Sequence, residues 1–260
     1  MKAARRLARR VYRAEHRLFL AEGPQAVREA LTVPGCVAEV FAVQHTDTAH
    51  PDIFGATGEQ DLAWHLVDDA ALASLTDTVH PQGLVAVCHF LDRPLDHVLS
   101  GTPKLVAVCA DVRDPGNAGT ILRSAEAAGA AAVVFCDGSV DVFNPKTVRA
   151  SAGALFHVPV VASGPPAGVL ERLGVAGYRR YATVARGGTA YDEADLAGKV
   201  AIVFGNEAHG LPDGLHHALD GGLTIPMAGR AESLNVGMAA AVVCFEALRQ
   251  RRAASARALS

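Results

Sequence analysis

A chain of 260 residues, 50% hydrophobic and 20% charged with a formal net charge of -3, has the composition of an ordinary globular protein. It is long enough for one large domain or two small ones at roughly 100–200 residues per domain. No apolar run approaches the ~18 residues that span a bilayer and the basic N-terminus has no apolar segment behind it, so neither membrane insertion nor secretion is expected.

The chain opens on a positive arm. Residues 1–17, "MKAARRLARRVYRAEHR", hold Lys2, Arg5, Arg6, Arg9, Arg10, Arg13 and Arg17 against Glu15, at spacings of three and four that place the cations on a helix. A solvated terminal helix fits this pattern, and so does a phosphate-binding one; in the second case Arg5, Arg6, Arg9 and Arg10 are the candidate RNA contacts. Next, "CVAEVFAV" (36–43), "WHLVD" (64–68) and "LVAVCHF" (84–90) read as buried strands of a small α/β unit. The Pro- and Gly-containing stretch "LDRPLDHVLSGTPK" (91–104) reads as a linker. The expected domains are therefore 1–92 and 105–260, with a linker over 93–104. Single cysteines, Cys36, Cys88, Cys109, Cys136 and Cys244, stand without a C-x-x-C pair and mostly inside apolar runs; they read as reduced core thiols in a cytoplasmic protein.

From residue 104 the rhythm becomes strict. Strands at "KLVAVCAD", "AAVVFCD", "LFHVPVV", "YRRYATV", "KVAIVFG" and "GLTIPM" alternate with helix-like segments, the signature of a mostly parallel sheet covered on both faces. Ligands of such sheets bind past the carboxyl ends of strands, and three loops there are unusual. "VRDPGNAG" leads into helix "TILRSAEAAGA", with Gly116 and Gly119 to free the backbone, Asn117 in the turn and Arg123 about one turn into the helix. "FGNEAHGL" (204–211) ends a strand in glycine and an acid, Glu207. "IPMAGRAESLNVGMAAAVVCFEALRQR" (225–251) leaves a strand at Pro226 and enters a long helix near Ser233 and Asn235.

Familiar nucleotide and metal signatures are missing. There is no G-x-x-x-x-G-K-[ST], and "GNAGTILR" lacks the third glycine of a dinucleotide fingerprint. No H-E-x-x-H or Cys/His spacing occurs, and the adjacent His216 and His217 would point different ways on a helix, so no metal site is expected. Ser233 lacks a nucleophile elbow, and capping the last helix is an alternative role for it.

The three loops together resemble the three motifs of the SpoU (TrmH) family of S-adenosylmethionine-dependent RNA 2'-O-ribose methyltransferases, in the SPOUT superfamily. "HRLFLAEGPQAVREAL" and "LTDTVHPQGLVAV" are similar to that family's N-terminal substrate-binding domain, "NPKTVRASAGALFHVPV" to a segment between the first two motifs, and "IPM" followed by "SLNV" to the last motif. The resemblance implies an L30e-like α/β domain followed by a SPOUT domain threaded as a trefoil knot, S-adenosylmethionine as cofactor, and a homodimer paired through the C-terminal domain. It implies a catalytic set of Arg123, Asn117, Glu207, Ser233 and Asn235. It also implies cofactor contacts, largely through backbone groups, at Thr183, Val184, Gly205, Ile225, Met227 and Leu234. Lys146 and Arg149 in "NPKTVRAS" are further candidate RNA contacts, with a solvated helix face as the alternative.

The residue types suit the chemistry. Methyl transfer from a sulfonium needs an aligned ribose oxygen that sheds a proton as it attacks, so positioning and electrostatics are the main levers. A guanidinium is effectively always protonated and hence a poor base; Arg123 is better read as gripping a phosphate and stabilising the developing alkoxide, with the proton acceptor open. The substrate the resemblance implies is 23S ribosomal RNA, with antibiotic resistance and housekeeping both open as roles. Transfer RNA is the alternative substrate, and a non-catalytic RNA-binding module the alternative class.

Overall fold

The computed structural model describes residues 1–101, 104–212 and 214–258. In chain order the elements begin with α1 (Lys2–Arg6), α2 (Arg10–His16), β1 (Leu18–Glu22), α3 (Pro24–Leu31), β2 (Val37–Ala42), α4 (Thr46–Ala49), α5 (Pro51–Glu59), β3 (Ala63–Leu66), α6 (Asp69–Ala73) and β4 (Leu84–His89). They continue with α7 (Leu95–Ser100), β5 (Leu105–Cys109), α8 (Pro115–Ala127), β6 (Ala132–Phe135), α9 (Pro145–Ala150), β7 (Val160–Ala162), α10 (Pro166–Val175), β8 (Arg179–Thr183), β9 (Thr189–Ala190), β10 (Val200–Phe204), β11 (Gly221–Thr224) and α11 (Val236–Ala258). Two compact units result: Met1–Leu91 with Asp141–Phe156, and Asp92–Val140 with His157–Ser260.

The first unit holds a four-stranded sheet in the order β1-β4-β2-β3, mixed in direction. Strand β1, "LFLAE", is absent from the sequence expectations because it follows the basic arm directly, without a turn signal; its three central residues are buried. The arm itself is two short helices broken around Leu7–Arg9, not one. Ala4 and Leu7 join a core cluster with Leu20, Phe41, Leu72, Val85 and Val87, which fastens the arm by its apolar face. Arg13, one of the arm's cations, is 2% exposed and turns inward. It donates from Nε and Nη2 to Asp141 Oδ2 at 3.0 and 2.6 Å, and from Nη1 to the carbonyls of Leu7 and Ala8. A buried guanidinium is tolerated only when its donors are satisfied in this way.

Residues Asp141–Phe156, which the sequence reading groups with the second domain, pack with the first unit. Phe143 stacks near Phe90 at 3.9 Å and Phe19 at 4.9 Å, and Phe156 lies 6.1 Å from Phe19. Their apolar partners, not chain continuity, decide where this segment goes. The expected linker also contains structure: α7 spans Leu95–Ser100, and Leu95 and Val98 are buried in the core of the second unit. Thr102 and Pro103 of that linker lie outside the described residues, as do Asp213, Leu259 and Ser260 of the expected C-terminal domain.

The second unit holds a seven-stranded sheet in the order β7-β6-β5-β10-β8-β11-β9, and every pairing is parallel. Strands β5, β6 and β10 are buried at every position, as expected for a sheet covered on both faces. Burying each Val, Leu, Ile or Phe contributes about 1.5–3 kcal/mol against the entropy of ordering the chain. Strand β7 begins at Val160, later than the "LFHVPVV" pattern predicts, because Ala154–Phe156 form a 3-10 turn.

Strand order is what positions the site. From β5 the sheet grows through β6 and β7 on one side, while β10 lies on the other. Strands β5 and β10 are neighbours, with Cys109 paired to Phe204. Their carboxyl ends form the topological switch point, from which the chain leaves β5 toward β6 on one side and β10 toward β11 on the other.

Candidate active site

The first motif is a helix start. Asp114 is the N-cap of α8, its Oδ1 accepting the Asn117 backbone N–H at 2.8 Å, and Pro115 occupies the first helical position. Helix α8 therefore begins earlier than the sequence reading places it. Gly116 and Asn117 lie in its first turn, not in a loop before it, and Arg123 lies about two turns in. Neither Gly116 nor Gly119 uses a left-handed backbone.

The second motif is a closed turn. Asn206 N–H donates to Gly210 O at 2.7 Å, and Gly210 N–H donates to Asn206 O at 2.8 Å. The Asn206 Oδ1 accepts from the N–H groups of Ala208 at 3.0 Å and His209 at 3.2 Å. Gly205 is needed for this closure: a Cβ there would meet Gly210 O at 2.5 Å and Gly210 C at 2.6 Å. The added carbon would run into backbone, a stronger constraint than leaving room for a ligand.

The third motif enters α11. Asn235 caps it, its carbonyl accepting from Ala239 N–H at 2.9 Å and its Oδ1 from Gly237 N–H at 2.9 Å and Met238 N–H at 3.3 Å. The cap suggested for Ser233 thus belongs to Asn235; Ser233 is exposed and faces a cavity. Helices α8 and α11 pack closely here, since a Cβ on Gly237 would lie 2.7 Å from Thr120 Cγ2.

These motifs meet through side chains. Asn235 Nδ2 donates to Asn117 Oδ1 at 2.8 Å, and Asn117 Nδ2 donates to Glu207 Oε1. A chain of hydrogen bonds thus runs from the Glu207 carboxylate through Asn117 to the cap of α11. Because the Asn235 Oδ1 is committed to backbone donors, its Nδ2 must face Asn117, and both amide orientations follow.

Beside this chain lies a cavity of about 450 Å³, within the range of small-molecule sites. All six residues named for the cofactor, Thr183, Val184, Gly205, Ile225, Met227 and Leu234, line it, together with Glu207 and Ser233. Asn117, Asn235 and Arg123 are not among its lining residues. Arg123 is exposed, one turn beyond Thr120 on α8, and its side chain has no hydrogen bond or ion pair among the described residues. The sequence reading missed Asn206, His209, His216 and Glu232, which also line the cavity. Asn206 could have been found from its place between a strand-ending glycine and an acid. Glu232 also pairs with Arg186 at 3.2 Å, and both side chains are exposed.

The candidate RNA contacts fall in the first unit and differ in freedom. Arg5, Arg6, Arg9, Arg10 and Lys146 are exposed, with Arg6 lying over the Tyr12 ring at 4.1 Å. Arg149 is held instead, donating to Glu22 Oε2 at 2.7 Å. None of the five cysteines lines the cavity; all are buried, and burial pushes the Cys136 and Cys244 thiols up to about 12, which leaves them poor nucleophiles. Among the described residues no three His, Cys, Asp or Glu side chains are grouped to hold a metal ion, and no helix is long and apolar enough to cross a membrane.

Comparison with known proteins matches residues 104–245 to the SpoU rRNA Methylase family and residues 20–94 to the RNA 2'-O ribose methyltransferase substrate binding family. The 23S rRNA (guanosine(2553)-2'-O)-methyltransferase RlmP of Bacillus subtilis is 36% identical over 233 residues, covering 90% of this chain and 89% of its own. An AdoMet-bound rRNA methyltransferase from Sinorhizobium meliloti superimposes with a TM-score of 0.83 at 29% identity, covering 95% of this chain and 93% of its own. The SpoU methyltransferase AviRb from Streptomyces viridochromogenes, solved with AdoMet, gives 0.84 at 26% identity, covering 97% and 98%.

Proposed function

Because the chain belongs to the SpoU rRNA methylase family, we propose that it transfers a methyl group from S-adenosylmethionine to the 2'-hydroxyl of a ribose in 23S ribosomal RNA. The observation that carries this reading is the meeting of three separate motifs at one place: a carboxylate, a hydroxyl and six cofactor-candidate residues line a single cavity, and Asn117 and Asn235 brace that carboxylate.

The cavity suits the cofactor. Val184, Leu223, Ile225, Met227 and Leu234 offer apolar surface for a flat base, and the carboxylates of Glu207 and Glu232 offer negative charge to a cation. Bound there, S-adenosylmethionine supplies an electrophilic methyl group on a positive sulfur. The chain's own residues then orient the acceptor. Arg123, exposed and with its side chain unpartnered among the described residues, holds an RNA phosphate and stabilises charge developing on the ribose oxygen, as a guanidinium ordered and shielded from water by the docked RNA can. Glu207 and Ser233 position the ribose from the cavity wall.

The exposed arginines Arg5, Arg6, Arg9 and Arg10, with Lys146, supply phosphate contacts for a folded RNA. Pairing of two copies through α11 is supported by its exposed Met238 and Phe245, 61% and 49% accessible, seven residues apart on one stripe beside the buried one. A cytoplasmic location and the trefoil threading of the family belong to the same reading.

The test is mass-spectrometric mapping of 2'-O-methyl groups in RNA from cells with and without the gene. Loss of one ribose methyl in 23S rRNA is expected and also identifies the nucleotide. A methyl lost from transfer RNA instead would redirect the substrate, and an unchanged RNA methyl map would overturn the reading.

A further inference from the structure

We propose that Asn206 is the positioning residue for Glu207 in methyl transfer, an inference that rests on the function proposed above. Glu207 is the first residue of a three-residue excursion, 207–209, whose two ends are closed by the paired hydrogen bonds of Asn206 and Gly210. The excursion has no other regular structure to hold it. Its inner N–H groups, on Ala208 and His209, both point at the Asn206 Oδ1.

Two backbone donors accept no substitute for oxygen at that point, so the Asn206 amide has one orientation. The same oxygen lies 3.2 Å from His209 Nδ1, and as an acceptor already facing two backbone N–H groups it takes Nδ1 as a third donor. One side chain thereby sets the path of the backbone at 207, the direction of the Glu207 side chain and the orientation of the His209 ring. Glu207 then reaches Asn117, 90 positions away in sequence. Asn206 touches neither Asn117 nor Asn235 by any hydrogen bond among the described residues, so its influence on that chain passes through Glu207.

Asn206 is near solvent, so water can satisfy the two freed N–H groups in Asn206→Ala, and the turn is loosened without unfolding the unit. Misplacement of a catalytic group by about 1 Å costs roughly a hundredfold in rate, and a loss of that order in kcat is expected at saturating S-adenosylmethionine and 23S rRNA taken from cells lacking the gene. Asn206→Ser, which keeps an oxygen acceptor for the turn, should recover most of it, and Asn206→Gly, which also lacks the acceptor, replaces the alanine variant if that one does not fold. In a double-mutant cycle the Asn206→Ala loss should vanish in a Glu207→Gln background, because residues acting as a unit are not additive. Equal losses in both backgrounds, or an unchanged kcat, would overturn the proposal. A second readout is independent of turnover: the side-chain amide resonances of Asn117 in the ligand-free full chain. Asn206→Ala must move them as Glu207→Gln does. If they stay in place, Asn206 does not position Glu207, whatever the enzyme's substrate.

Discussion

Asn235 and Asn117, 118 positions apart, are joined by a 2.8 Å hydrogen bond from Nδ2 to Oδ1. The same Asn235 side chain caps α11, and Asn117 carries the link on to Glu207. One residue therefore serves both helix stability and the geometry of the site.

Asn235→Ala should lower both stability and rate. Loss of an N-cap costs about 1 kcal/mol, which for a unit of this size moves the thermal midpoint by roughly 2–4 °C. Ser233→Ala should leave the midpoint in place and lower turnover, since Ser233 is exposed and faces the cavity. Calorimetric unfolding alongside methyl-transfer assays distinguishes the two. A lower midpoint for the Ser233 variant would return the capping role to it.

Arg123→Ala should lower single-turnover methyl transfer by roughly 100- to 1,000-fold, the scale for losing one preorganised charge stabiliser. Cofactor affinity should stay within a few fold because Arg123 does not line the cavity. The unfolding midpoint should also hold, as the side chain is exposed. Titration calorimetry with S-adenosylmethionine supplies the control, and near-normal turnover would remove Arg123 from catalysis.

The arm separates into two behaviours. Replacing Arg5, Arg6, Arg9 and Arg10 by Gln should weaken RNA binding and flatten its dependence on salt, each lost phosphate contact reducing the slope by about one, with no change in cofactor affinity. Arg13→Gln should destabilise the first unit by about 3–5 kcal/mol, because it leaves Asp141 half-buried without its cation. Filter binding across a salt series checks the first, and denaturant unfolding the second. An unchanged slope in the quadruple variant would leave the arm a solvated surface.

Acid should loosen the second unit through Asp220. Its carboxylate accepts from Arg180 Nε and Nη2 at 2.8 and 2.9 Å and from the Arg180 backbone N–H at 2.7 Å. The Arg180 guanidinium holds its carboxyl below the usual carboxylate range, partly opposed by burial. A depressed folded value means that this stabilisation is present above the unfolded value, about 3.9, and is lost as pH falls through the folded one. Asp220→Asn should therefore lower the unfolding midpoint at pH 7 and narrow its gap to wild type below pH 4. A gap that stays constant with pH would show that the charge does not matter.

Apolar runs and loop chemistry carried the local signals in this protein. "LVAVC" and "VAIVF" announce strands buried on both faces, because period and apolarity act within a few residues. The Asn, Glu, Ser and Asn of three motifs, and their likeness to one family, were legible because glycine, proline and acid next to strand ends impose local geometry. Long-range partnership was not legible. Arg13 looks like one more surface cation until its donors find Asp141, 128 positions away. Arg149 looks free until it finds Glu22. Ser233 is the cap that the sequence suggests, and only the path of the chain into α11 gives that role to Asn235 instead. The adjacency of β5 and β10, which brings Asn117 to Glu207, was decided by tertiary structure alone: which strands pair depends on how all the apolar faces bury together, a property of the whole chain that no window of sequence contains.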